Sequence, residues 1–151
     1  MDNQFVNFLI KAKKSTYASA EGDSKKVLSD GSKEFVYKEG TYFYRDRYFG
    51  SDPFAGQEVV FSNGKAIWVM NYCGHILDRE NREKEIYNFL KRALMEISEA
   101  QPFRGPSEFI LGNFKYTSKS IGTINSFEGV EVIYSKNNKI YKLSFHGGLI
   151  S

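Results

Sequence analysis

The sequence predicts an α+β fold of two similar halves. Each half is a helix followed by an antiparallel meander, and the halves share one curved or barrel-like sheet with both helices on one face. Three observations predict it. Aromatic residues make up 16% of the 151 residues, with 13 Phe and 10 Tyr, and these residue types suit pleated, half-buried strands. Residues 54–77 align without a gap onto residues 127–150, with identities at Phe54/Phe127, Gly56/Gly129, Glu58/Glu131, Val59/Val132, Ser62/Ser135, Ile67/Ile140 and Gly74/Gly147. Average residue usage would give about one or two identities in such a window. Ahead of each aligned stretch, the apolar residues recur at helical rather than strand spacing. The chain reads as one domain, 1–151, with repeats of about 1–77 and 78–151.

In the first half, Phe5, Phe8, Leu9 and Ala12 fall at i, i+3, i+4 and i+7, one face of a helix. Residues 15–32 are polar and rich in Ser and Lys, and read as a disordered surface loop, with a lid over a site as the alternative. Strands follow, with Tyr42 and Tyr44 alternating onto one face. Ser62-Asn63-Gly64-Lys65 signals a two-residue hairpin, because Asn-Gly tolerates the positive φ of a type I′ turn. Counting back from that turn places Val59 opposite Trp68, Gln57 opposite Met70 and Phe61 opposite Ala66.

The second half repeats this plan. Ile86, Phe89, Leu90, Ala93 and Ile97 form a helical stripe, with Asp78 or Asn81 as its N-cap and Pro102 as its end. The connection after it is the compact Pro102-Phe103-Arg104-Gly105-Pro106. Gly112-x-Phe114-x-Tyr116 matches Gly40-x-Tyr42-x-Tyr44. Counting back from Ser135-Lys136-Asn137-Asn138 sets Val132 against Tyr141, Val130 against Leu143 and Tyr134 against Lys139. Trp68 and Tyr141 are then buried beneath the helices.

This alternation leaves a mixed opposite face bearing Arg45, Arg47, Glu58, Asn71 and Cys73 from the first half. Lys115, Lys119, Glu131, Lys142, Ser144 and His146 join it from the second. Such a face is often simply solvated in antiparallel sheets, or else forms a site where the halves meet. Glu131 is expected opposite Lys142, and Glu58 beside Arg45 or Arg47; structural ion pairs are favoured over a two-carboxylate acid–base dyad. Cys73 and His146 occupy matching repeat positions, but nothing lowers the thiol's pKa and no third orienting residue accompanies them.

Composition narrows the function classes. Hydrophobic residues are 41% and charged residues 26%, the balance of a globular chain, and no apolar run approaches the ~20 residues that span a bilayer. The basic residues of the N-terminal segment follow its short apolar stretch, the reverse of a secretory signal. Cys73 is the one cysteine, which suits a reducing cytoplasm. With two histidines and one cysteine, no zinc spacing occurs, and no phosphate-cradling glycine motif is present. No cofactor is therefore expected. A net charge of +3 argues for neither membrane nor nucleic acid, and the pattern of an RNA-binding sheet is missing.

The strings RDRYFGSDPFAGQEVVFSNGKAIWVMNYCG, PFRGP and FHGG resemble an uncharacterised bacterial family of domains of unknown function, over about Phe8 to Ile150. Its members resemble stand-alone proteins or C-terminal domains behind an XRE-type helix-turn-helix. Cys73 stands where the resemblance leads one to expect an aromatic residue, which argues against a Cys-based mechanism. The resemblance implies no established activity; it implies a module able to act as a sensor attached to a regulator. The leading expectation is a non-catalytic module binding an anionic small molecule through Arg45, Arg47, Glu58, Asn71, Arg104 and His146. Trp68 and Tyr72 would support that framework. The alternatives are a hydrolase- or isomerase-type enzyme using Glu58 or His146, and a structural or oligomerisation module, with a homodimer as the further expectation.

Overall fold

A computed structural model of the chain describes residues 3–18, 25–78, 80 and 82–151. Helix α1 spans Asn3–Ser15 and buries Phe5, Phe8, Leu9 and Ala12, the stripe its spacing predicts, together with Lys13. Strands β1 (Lys26–Val27), β2 (Lys33–Glu39), β3 (Tyr42–Gly50), β4 (Phe54–Ser62) and β5 (Lys65–Ile76) follow. Helix α2 (Glu83–Leu94) precedes β6 (Glu108–Leu111), β7 (Phe114–Thr123), β8 (Ser126–Ser135) and β9 (Asn138–Leu149). The segment 15–32 is short of the expected disordered loop where described: it turns after α1 and pairs Lys26 and Val27 with β2. Its residues 19–24 lie outside the described residues.

Helix α2 buries Ile86, Phe89, Leu90 and Ala93 as predicted, but its ends differ. It stops at Leu94, so Pro102 does not terminate it, and Ile97 is buried beyond its end. Arg82 occupies the N-cap without a side-chain capping bond. Asp78 instead accepts hydrogen bonds from the Glu80 backbone N–H at 3.0 Å and from Arg82 Nε at 2.7 Å. Asn81 lies outside the described residues. Glu83 and Glu85 in the first turn and Lys91 and Arg92 in the last complement the helix dipole.

All nine strands join one antiparallel sheet in the order β1-β2-β3-β4-β5-β9-β8-β7-β6. Among the described residues its edges are β1 and β6, so the sheet is open and the barrel-like alternative is corrected. The last strands of the two meanders, β5 and β9, pair at its centre, with Tyr72 opposite Phe145. Helix α1 packs Phe5 edge-on against Tyr42 and Trp68, and α2 sets Phe89 against Phe109 and Phe114. The buried apolar residues of both helices and Tyr44, Trp68, Tyr116, Tyr141 and Leu143 form one cluster, in which Trp68 and Tyr141 have no exposure.

Both hairpin turns have the left-handed residues that a type I′ turn needs. They are Asn63 (φ 50°) with Gly64 (φ 80°), and Lys136 (φ 49°) with Asn137 (φ 68°). The predicted register nevertheless fails one step further on. Phe61 pairs with Ala66, but the next pair is Val60 with Trp68, and Tyr134–Lys139 is likewise followed by Ile133–Tyr141. Ile67 and Ile140 are extra residues in bulges. Because side chains alternate with period two, one inserted residue turns the rest of the partner strand over. Glu58, Val60, Glu131 and Ile133 therefore face the buried cluster, and Val59, Gln57, Val132 and Val130 face away.

Candidate functional site

The bulges decide where the charges go. Glu58 and Glu131, expected on the mixed face, lie under the core at 3% and 0% exposure. Lys142 pairs with Val132 rather than Glu131. Glu131 is held by Arg104, whose Nε and Nη2 donate at 3.1 and 2.7 Å, and by the hydroxyls of Tyr116 (2.7 Å) and Tyr141 (2.9 Å). Arg104 reaches it because Gly105 lets the chain press against Tyr116. The Gly105 N–H donates to that hydroxyl at 2.9 Å, and a Cβ at residue 105 would sit 2.7 Å from it. Burial opposes the Arg104 charge, but Glu131 more than offsets this and holds its pKa well above the ordinary value.

Glu58 finds its partner in Lys13 of α1, which donates to it directly with both side chains buried. Burial wins over the attraction of Glu58, so the Lys13 pKa is lowered. Asp46 lies directly across from Glu58 on β3, 2% exposed, and accepts a hydrogen bond from the Tyr72 hydroxyl at 2.6 Å. Burial, reinforced by the Glu58 charge, pushes the Asp46 carboxyl up to about 7. Gly56 makes this contact reachable: a Cβ there would lie 2.4 Å from the Tyr72 hydroxyl oxygen and 2.6 Å from Tyr48 Cβ.

Asp46 borders a cavity of about 200 Å³ between the outer ends of β3–β5 and helix α2. Tyr48 and Phe54 continue its wall from the strands. Glu83, Tyr87 and Lys91 face it from α2, spaced i, i+4, i+8 along one side of the helix. Tyr87 is fixed by bonds from its hydroxyl to the Ser51 carbonyl (3.2 Å) and Asp52 Oδ1 (3.1 Å). Arg104 closes the inner side, its guanidinium 5.5 Å from the Tyr72 ring centre and 5.9 Å from that of Tyr17. Lys25 and Lys33 join Lys91 around the cavity, against Glu83. A smaller void of about 20 Å³ lies alongside, lined in part by Lys13, Glu58 and Arg104.

Of the residues proposed from sequence, Arg104 lines this cavity and Glu58 sits behind Asp46. The others lie on the opposite sheet face, so Arg45, Arg47 and Glu58 do not line one accessible pocket. Arg47 pairs with Glu34, Nη2 to Oε2 at 2.6 Å. The Arg45 guanidinium lies 5.3 Å from the Phe61 ring centre, and its Nε has no hydrogen-bond partner. Asn71 and His146 do meet, Nδ2 to Nε2 at 3.3 Å, and Gln57 donates to Asn71 at 2.9 Å, all exposed. Cys73 is exposed and its register partner is Ser144, not His146. Among the described residues no group of His, Cys, Asp and Glu is arranged to hold a metal, and no helix is long and apolar enough to cross a membrane.

The sequence reading missed Asp46, Lys13, Tyr17, Tyr48, Tyr87 and Lys91 as site residues. Two of these carried a usable signal. Asp46 alternates with Tyr42, Tyr44 and Tyr48 and so had to share their face. Lys13 lies four residues after Leu9, on the buried stripe of α1.

The fold is α+β, and residues of the sheet, of α2 and of the Arg104 segment line this cavity. The chain belongs to the family described as "Domain of unknown function (DUF5680)", whose model matches residues 46–150. No curated protein and no solved structure matches it.

Proposed function

We propose that this domain is a receptor for a small anionic molecule, held in the cavity between α2 and the ends of β3–β5. One observation carries the reading: a buried carboxyl, Asp46, and a buried guanidinium, Arg104, converge on an aromatic-walled space with three lysines around it. Small-molecule sites have this character, largely apolar walls with a few placed polar groups. Lysines outnumber Glu83 at the cavity, which favours a negative ligand. A sensor module attached to a regulator, as the family resemblance implies, needs such a receptor.

Thermal-shift titration with a panel of small organic anions tests this. Members of the panel should raise the melting temperature of the wild-type chain but not of Lys33→Glu/Lys91→Glu. Arg47→Ala and His146→Ala, on the opposite face, should respond like wild type. No response from any anion, or loss of response in the opposite-face variants alone, overturns the assignment.

A second reading, acid–base catalysis, has one observation in its favour: Asp46, with a pKa near 7, lies at the cavity. Glu58 is occupied by Lys13, and His146 is exposed on the other face, so the acid–base role moves to Asp46. A turnover rate with an inflection near pH 7 that Asp46→Asn abolishes would favour this reading.

We also read the chain as an internal duplication with both helices on one sheet face. In support, residues 73 apart face each other at the sheet centre, and both helices contribute to one buried cluster. Superposing residues 40–77 on 112–150 in an experimental structure tests this: the strands and both glycine pairs should coincide.

A further inference from the structure

Resting on that receptor reading, we propose that the ligand is a single-ring aromatic acid with a hydroxyl group opposite its carboxylate. The hydroxyl meets Asp46, the ring lies among Tyr48, Phe54 and Tyr87, and the carboxylate faces Lys33 and Lys91.

Three features of the cavity lead there. Its size comes first. A dry cavity of about 150 Å³ takes a benzene molecule, so about 200 Å³ has room for one substituted ring. The walls come second. Aromatic side chains approach from β3, β4, β5 and α2, and flat rings prefer offset or edge-to-face neighbours of their own kind. An aliphatic acid would forgo those contacts.

The third feature is the difference between the two ends. At the buried end Asp46 already accepts from Tyr72 through Oδ1, which leaves the rest of its carboxyl for a donor on the ligand. At the more exposed rim stand the lysine side chains, Lys33 of β2 and Lys91 of α2 half-buried and Lys25 exposed. Lys33 is held near the cavity by its bond to the Gly50 carbonyl at 3.2 Å, with its ammonium 5.5 Å from the Tyr48 ring centre. A ligand with a carboxylate at one end and a donor at the other satisfies both. A second carboxylate in place of the hydroxyl would meet Asp46 and, behind it, Glu58.

The test is calorimetric titration of the full chain with 4-hydroxybenzoate, benzoate and cyclohexanecarboxylate. 4-Hydroxybenzoate should bind at least about tenfold more tightly than benzoate, and benzoate more tightly than cyclohexanecarboxylate. Asp46→Ala should remove the preference for the hydroxyl, so that 4-hydroxybenzoate and benzoate bind alike. Lys33→Glu/Lys91→Glu should weaken both aromatic acids alike.

Should Asp46→Ala not fold, the wild-type preference measured from pH 5 to pH 9 replaces it. The groups around Asp46 are Glu58 on β4, Tyr72 on β5, Lys13 on α1, Arg104, Tyr17 after α1, and Tyr44 and Tyr48 on β3 itself. The hydroxyl preference should grow as Asp46 ionises, because hydrogen bonds to a charged acceptor are stronger. Equal affinity for 4-hydroxybenzoate and benzoate overturns the hydroxyl assignment, and so does a preference that pH leaves unchanged. Cyclohexanecarboxylate binding as well as benzoate overturns the aromatic assignment. No binding of 4-hydroxybenzoate overturns the inference as a whole. The receptor reading fails separately, when no member of the anion panel binds.

Discussion

The two meanders bury a glutamate at matching positions and then treat it differently. Glu131 is closed off: Arg104, Tyr116 and Tyr141 occupy its oxygens, and Ser118, across from it on β7, is covered by Gln101. Glu58 has Lys13, Tyr44 in the place of Tyr116 and, in the place of Ser118, a second carboxyl, Asp46. Tyr72 supplies a hydroxyl to Asp46, whereas its counterpart Phe145 has none. A polar core built only to fix the strands would need no such difference. Asp46 and Tyr72 line the cavity, whereas Ser118 and Phe145, which hold the matching places in the second half, do not. On the receptor reading proposed above, the difference separates a structural polar centre from a functional one.

The largest expected effects test the closed half and the shared core. Arg104→Met removes the counterion of the buried Glu131, and should cost about 3–5 kcal/mol in urea unfolding. Trp68→Ala, removing a fully buried ring, should cost about 3–5 kcal/mol. Little change in either denaturant midpoint would mean that the faces have been assigned wrongly.

Asp46 gives the open half a pH signature. Its folded pKa of about 7 lies above its unfolded value of about 4, so between these pH values only the folded chain holds the proton. Its contribution is greatest below pH 4, falls as pH rises and is gone above about 7, a span of about 4 kcal/mol. Asp46→Asn should flatten that slope, leaving the variant more stable than wild type at pH 8. Urea midpoints at pH 5 and 8 measure it, and parallel slopes would remove the distinction between the halves.

Smaller effects sharpen the comparison. Lys13→Met should cost less than Arg104→Met, about 1–3 kcal/mol. Burial already disfavours the Lys13 charge, and the void of about 20 Å³ beside Glu58 has room for one water. Arg47→Ala, which breaks a partly exposed pair with Glu34 on the opposite face, should cost about 0–1 kcal/mol. It should leave ligand affinity unchanged. An Arg47 variant that loses binding would return the site to the opposite face.

Much of the fold was legible in local pattern. Helical spacing marked both buried stripes, and Asn-Gly marked the first turn. Alternation placed Tyr42, Tyr44, Trp68, Met70, Phe114, Tyr116, Tyr141 and Leu143 on the core face. The same alternation already held Asp46 beside those tyrosines. What sequence could not show was the bulge at Ile67 and at Ile140. A turn signal fixes where a hairpin reverses, but whether one strand takes an extra residue depends on how both strands pack against the helices. That single residue moved Glu58 and Glu131 from water into the core. Their partners, Lys13 and Arg104, come from a helix and a loop distant in the chain, joined to them only when buried charge demands a counterion. The sequence determined the elements and most of their faces, through spacing and turn chemistry. The tertiary structure decided the register of β4 and β8, and with it which charged residues meet and where a cavity remains.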